Sequence, residues 1–245
     1  MDDSTLVMLL AVIAVIAIGF IAARLRSPQN FGTFEENHIV DAPMPGALTP
    51  IPRASGNLSG LLPAHFVVLD LETTGLNPAR DEIIEIGAIR VTLDSTDHLA
   101  FQTLVKPIRK IPAKITKING ITQEMVDKDG VSLKDALCQF KEFVGELPFV
   151  TFNAEFDMAF LYNAAERSGL SFSNSYTCAL KRARRAWPGL PSYRLSDLAK
   201  MGNISDADTH RAVGDCTRAL IVFTSATSTL GQKVRWTKPS VSPVN

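Results

Sequence analysis

The run Phe66-Val67-Val68-Leu69-Asp70-Leu71-Glu72-Thr73-Thr74-Gly75-Leu76 limits the possible folds more than any other stretch. Phe66 to Leu69 is short, apolar and rich in β-branched residues, the pattern of a buried strand. Side chains two apart on a strand share a face. Asp70 and Glu72 therefore converge where the strand leaves the sheet. Two carboxylates there are costly unless they are paired or bind a cation. Two explanations fit this stretch alone. The acids hold a hard cation such as Mg2+ or Mn2+, or they cap the turn that follows.

The neighbouring pattern is that of an α/β domain. Asp81 to Val91 is expected to be a second strand and His98 to Val105 a third, with turn-forming residues between them, so these three should form an antiparallel meander. Ser132 to Leu147 has helical spacing, with Leu133, Ala136, Leu137, Phe140, Phe143 and Val144 in one stripe and Ser132 and Asp135 placed as a cap. Phe149 to Phe152 is another short apolar strand, followed by a helix from about Ala154. Leu195 to Met201 and Arg211 to about Leu230 are further helices. Strands interleaved with helices give a mixed sheet flanked by helices.

Asp157 lies early in the helix after the fourth strand, and Asp215 lies early in the last helix. His210 precedes that helix. Each alone is explained by helix-dipole stabilisation or capping. Together with Asp70 and Glu72 they place four acids at strand ends and helix starts, where α/β folds gather their sites.

These residues resemble the three motifs of the DEDD exonuclease superfamily, in its subclass with a histidine in the third motif. The first is Asp70-Leu71-Glu72-Thr73-Thr74-Gly75, the second Asn153-Ala154-x-Phe156-Asp157, and the third His210-x-Ala212-x-x-Asp215. Ile84-x-Ile86-Gly87 and Asn119-Gly120-Ile121-Thr122 also resemble family segments. The resemblance covers about residues 64–230. It implies a ribonuclease-H-like α/β fold and 3′-to-5′ removal of nucleoside 5′-monophosphates, as in the epsilon proofreading subunit of bacterial DNA polymerase III and stand-alone relatives. It further implies that Asp70, Glu72, Asp157 and Asp215 hold two Mg2+ or Mn2+ ions, about 3.5–4 Å apart in such sites, with Asp70 bridging them. His210 would be the general base, a task suited to imidazole. Thr73, Thr74, Gly75 and Leu76 would cradle the terminal nucleotide, with Asn153 and Phe156 beside them. The implied substrate is single-stranded nucleic acid or a 3′ terminus, with DNA slightly favoured. An exoribonuclease, or from a different class a non-catalytic nucleic-acid-binding module, is the alternative.

The sequence departs from the family in places. Phe152 stands where many relatives have a histidine, and Tyr176 where an aspartate is common. No clamp-binding motif marks a polymerase partner. With 25 basic and 25 acidic residues the formal net charge is zero, so nucleic-acid contact must come from local cations. Lys106, Arg109, Lys110, Lys114 and Lys117 form one run, and Lys181, Arg182, Arg184 and Arg185 a second, beside Trp187. Each either tracks phosphates or is a solvated face. Cys138, Cys178 and Cys216 are far apart and offer neither a disulfide framework nor a zinc site.

The N-terminus is of another kind. Leu6 to Ala23 is eighteen residues without a charge, roughly 27 Å as a helix, close to a bilayer core. Asp2 and Asp3 precede it, and Arg24 and Arg26 follow. The expectation is a single-pass anchor over 1–26 in the bacterial inner membrane, with the rest facing the cytoplasm. A Pro/Gly/Ser-rich linker then covers 27–63, the exonuclease domain 64–231, and a loose tail 232–245.

Overall fold

The first strand is the organising element of the computed structural model, which describes residues 58–93, 95, 98–204 and 210–239. This strand, β1 (His65–Thr73), pairs antiparallel with β2 (Ile83–Thr92), which pairs antiparallel with β3 (Leu99–Leu104). On its other side β1 runs parallel to β4 (Phe149–Thr151), which runs parallel to β5 (Tyr176–Cys178). The sheet order is β3-β2-β1-β4-β5, so β1 is central and the sheet is mixed as expected.

Period-two alternation sorts β1 onto two cores. Val67, Leu69 and Leu71 join one cluster, packed with α3 (Leu133–Val144) and α4 (Ala154–Arg167). The α3 stripe is as the spacing predicts, and Ser132 caps the helix by accepting the Asp135 amide at 3.2 Å. Phe66 and Val68 face the opposite way, against α7 (Ala212–Leu230), where Phe66 meets Phe223 edge-on at 6.1 Å. Asp70 and Glu72 continue the parity of Phe66 and Val68. The same rule puts Glu85 and Gly87 on the face of Ile89 and Val91, which belong to the α7 cluster. Asp70 is registered opposite Gly87 and Glu72 opposite Glu85. One polar patch thus lies on the α7 face at the exit of β1.

Several elements went unpredicted: α1 (Ala113–Asn119), α2 (Gln123–Asp129), α5 (Ala179–Ala186) and β5. Each is short, and none carries a regular apolar stripe: α1 and α2 each bury one residue, α5 is half basic, and β5 is three residues long. The helix Leu195–Met201, here α6, is as expected. The C-terminal stretch expected to be loose is packed as far as the description runs. Val234 is buried, its amide donates to the Leu61 carbonyl at 3.1 Å, and Thr237 exchanges backbone bonds of 2.7 and 2.8 Å with Tyr176. Leu62 is buried in the same cluster, so the expected linker joins the domain before residue 63. Apolar Leu58, Leu62, Val234 and Trp236 cover the end of the α7 core, which outweighs the proline content of these segments. Among the described residues no helix is long and apolar enough to cross a membrane. The apolar segment Leu6 to Ala23 and linker residues 27–57 lie outside the described residues.

Candidate active site

Carboxylate oxygens of Asp70, Glu72 and Asp215 lie within 4.8 Å of one another. Two chain segments meet there. Asp70 and Glu72 arrive on β1, and Asp215 on the first turn of α7. Asp157, on the first turn of α4, is electrostatically joined to them through Asp70.

Gly87 makes this approach possible. A Cβ there would lie 2.5 Å from the Ala212 Cβ and 2.6–2.7 Å from the backbone of Ala212 and Val213. Glycine opposite Asp70 therefore lets the start of α7 sit directly on the sheet. Glu85 fixes that start. It is fully buried, and its carboxylate accepts from Arg211 Nη2 at 2.6 Å, from the Ala212 amide at 2.9 Å and from Gln102 Nε2 at 2.7 Å. A buried charge satisfied by an arginine and a helix-start amide is a strong anchor. It ties down the residues between His210 and Asp215.

Three of the four acids, Glu72, Asp157 and Asp215, are held by partners that the motifs did not identify as such. Buried Asn119 donates to Glu72 Oε2 at 3.1 Å, and its own Oδ1 accepts the Ile121 amide at 3.1 Å. The Asn119-Gly120-Ile121-Thr122 segment thereby gains a physical role. Thr151 donates its hydroxyl to Asp157 Oδ2, and the Leu71 amide also donates to that carboxylate. Arg218, one turn beyond Asp215, donates to Asp215 Oδ1 at 2.7 and 3.0 Å. Glu85 and Arg218 carry no motif signal. A charged residue inside an otherwise buried strand, or on the buried side of an apolar helix, was the available hint.

Burial and mutual repulsion disfavour the ionised carboxylates at Asp70, Glu72 and Asp157. Burial pushes the Asp70 carboxyl well above its ordinary range, and the charges of Asp157, Asp215, Glu72 and Glu85 add to it. Burial raises Glu72 to about 8, partly offset by the Asn119 hydrogen bond. Burial raises Asp157 to about 7 against the bonds from Thr151 and from backbone amides. The donor set is all oxygen and all carboxylate, which fits a hard divalent cation. The shifts also bear on stability. Glu72 and Asp157 hold protons in the folded protein that they release when unfolded between about pH 4 and 8. The folded state then binds more protons, so stability falls as pH rises through that window. With divalent ions chelated, the urea midpoint is expected to drop between pH 5.5 and 8.5. A flat or rising midpoint would refute this account of the cluster.

The remaining motif residues surround the cluster. Thr73 and Thr74 are buried: the Thr73 hydroxyl donates to the Gly75 carbonyl at 2.6 Å, and Thr74 exchanges bonds with Glu82 at 2.8 and 2.9 Å. Gly75 leaves room for Asp81, whose carboxylate would lie 2.4–2.8 Å from any Cβ. The turn ends in Leu76, 83% exposed. Asn153 is exposed at the start of α4, and Phe156 is half-buried against Phe160 at 4.8 Å. His210 is exposed, has a left-handed backbone (φ 62°) and immediately precedes Arg211. It is not part of the close carboxylate group. Trp187 is half-buried against Ala183, Leu198 and Val222.

Comparison with known proteins accords with this geometry. The sequence model of the exonuclease family matches residues 67–223. Over 173 residues the chain is 34% identical to the DNA polymerase III epsilon subunit of Aquifex aeolicus, covering 70% of this chain and 85% of that one. It is 36% identical over 173 residues to the PolC-type DNA polymerase III of Caldanaerobacter subterraneus, covering 71% of this chain but only 12% of the polymerase. Among solved structures, E. coli exonuclease I in complex with a dT13 oligonucleotide superposes with a TM-score of 0.57 at 24% identity, over 69% of this chain and 41% of that one. That likeness concerns the fold, a ribonuclease-H-like sheet with flanking helices. With the family match spanning most of the described domain, the chain belongs to the exonuclease family, as a member of the DEDD superfamily of 3′-to-5′ exonucleases.

Proposed function

We propose that this chain is a membrane-tethered, cytoplasm-facing 3′-to-5′ exonuclease that removes nucleoside 5′-monophosphates from single-stranded nucleic acid, with DNA favoured. The observation that carries the proposal is the close group of Asp70, Glu72 and Asp215, coupled to Asp157. Preference for DNA draws on a neighbour of the same fold that binds a deoxythymidine oligonucleotide. The tether draws on the uncharged run from Leu6 to Ala23 and the arginines after it.

Asp70, Glu72, Asp157 and Asp215 would hold two divalent ions, Mg2+ or Mn2+. When bound, such ions neutralise phosphate charge and make a water acidic enough to attack at neutral pH. The protein's own groups do the rest. Asn119, Thr151 and Arg218 hold three of the carboxylates in fixed orientations, so little reorganisation is needed during reaction. His210 accepts a proton from the attacking water on a ring nitrogen. Its exposed position lets it approach a bound 3′ end from the solvent side. Leu76 offers an apolar surface to the terminal base, and the Thr73-to-Gly75 turn lines the nucleotide's other side. Asn153 and Phe156 would border the same nucleotide.

The test uses 5′-labelled single-stranded DNA and RNA of matched sequence, with Mg2+ or Mn2+ and with chelator. The expected result is a ladder shortening from the 3′ end, faster on DNA and absent with chelator. No ladder on either polymer would sink the activity, and faster RNA cleavage would reverse the substrate preference.

A further inference from the structure

The two basic runs behave differently in the fold. In the first, Arg109 faces Glu82 at 3.5 Å, the amides of Ile108 and Arg109 also bond Glu82, and Lys106 donates to the Asp127 carbonyl. In the second, all the cations but Arg184 collect around a pocket of about 380 Å³ at the β5 edge of the sheet. Lys181, Arg182, Arg185 and Arg235 all line it. Glu155 is the sole acid among the lining residues, and its partner is Lys181 at 2.7 Å. Three guanidiniums therefore face one pocket without a carboxylate.

Arg182 makes the imbalance informative. The residue is only 5% exposed, yet its partners are neutral: Nε donates to Thr227 Oγ1 at 2.8 Å and Nη2 to the Gln232 carbonyl. Arg185 lies close enough to repel it, and burial together with that repulsion lowers its pKa from the ordinary guanidinium value. Arg185 itself donates to Gln232 Oε1 at 2.8 Å. Arg235 has no ion pair among the described residues. A buried cation beside a second cation is costly until an anion joins them. Forked guanidinium donors match phosphate oxygens. The pocket also begins close to the acid cluster in the chain, since Ala154 and Glu155 line it and Asp157 follows on the same helix.

We infer that this pocket is a phosphate-binding exosite that grips the backbone of the nucleic-acid strand upstream of its 3′ end. The assignment rests on the proposed exonuclease function for its choice of ligand. It implies that the enzyme binds long strands more tightly than the terminal nucleotide alone would allow.

The experiment uses the full chain with Arg185→Gln and Arg235→Gln, single and combined, since both side chains are exposed and their loss spares the core. Binding of a labelled oligodeoxythymidine of about 20 nucleotides is measured in chelator at several salt concentrations. The double variant is expected to bind about tenfold more weakly, and its salt dependence to flatten by about 1.4 in slope, roughly 0.7 per lost phosphate contact on a single strand. With Mn2+ present, KM for the oligonucleotide should rise while hydrolysis of thymidine 5′-p-nitrophenyl phosphate, a single-nucleotide ester, is unchanged. Unaltered affinity and slope would overturn the exosite. Wild-type binding of inorganic phosphate as tight as that of the oligonucleotide would mark a free-phosphate site and overturn the strand assignment. If the wild type hydrolyses neither substrate, the proposed activity fails, and the binding measurement still decides the pocket.

Discussion

Asp70→Asn is expected to abolish exonuclease activity and, in chelator at pH 8, to raise the melting temperature. The two effects have one cause. Burial and the charges of Asp157, Asp215, Glu72 and Glu85 all act against an ionised Asp70. Removing that charge relieves repulsion in the ion-free protein, and each kcal/mol gained is worth about 2–4 °C for a domain of this size. The same change takes away an oxygen that a divalent ion would need. Activity should fall by more than about a hundredfold, the scale set by losing one stabiliser of transition-state charge. Stability is surrendered for function at such sites. Asp157→Asn offers a contrast. Its carboxylate accepts from the Thr151 hydroxyl and the Leu71 amide, so substitution forfeits bonds as well as repulsion. Melting curves with and without Mg2+ or Mn2+, alongside cleavage rates, read both properties. An Asp70→Asn protein that melts lower in chelator would show that attractive contacts hold the carboxylate, and the cation cradle would have to be abandoned.

What the sequence announced and what it concealed divide along physical lines. Strand β1, the α3 stripe, α6 and α7 were expected because hydrophobic periodicity is a local property. The acids were found because their chemistry demands particular residue types at strand exits and helix starts. Their supports were not found. Asn119 lies 47 residues from Glu72, and Arg211 lies 126 residues from Glu85, separations that no periodicity spans. Glu85 looked like one more residue of an alternating strand until the register put it beside Glu72 and under the start of α7. Arg218 sits within an apolar helix as an unremarked charge. Prolines in residues 232–245 pointed to a loose tail, yet a few apolar side chains sufficed to dock residues 234–237 onto the sheet edge and the α7 core. The same gap explains the two basic runs. Similar in composition, they differ in where the fold takes them: Lys106 and Arg109 are tied to the Asp127 carbonyl and Glu82, whereas Lys181, Arg182 and Arg185 line one pocket with Arg235.

His210→Asn is expected to lower kcat by about 10²–10⁴, the usual contribution of a positioned general base, while leaving metal-dependent stabilisation intact. Asparagine is the informative replacement. The His210 backbone is left-handed at φ 62°, a conformation that asparagine tolerates and most residues enter at a cost of about 1–2 kcal/mol. His210→Ala would mix that backbone cost with the loss of the imidazole. The next residue, Arg211, is bound to buried Glu85, so the backbone around His210 is anchored on its C-terminal side whatever side chain it bears. The four carboxylates belong to other residues with supports of their own, so ion binding should survive. Two measurements separate the roles. Thermal stabilisation by Mn2+ reports the acid cluster, and the rate under saturating substrate reports the proton acceptor. If the variant loses stabilisation by Mn2+ together with rate, His210 serves the ion site and not the attacking water. If it keeps full rate, proton transfer runs through another group, and His210, exposed and outside the acid group, takes no part in the chemical step.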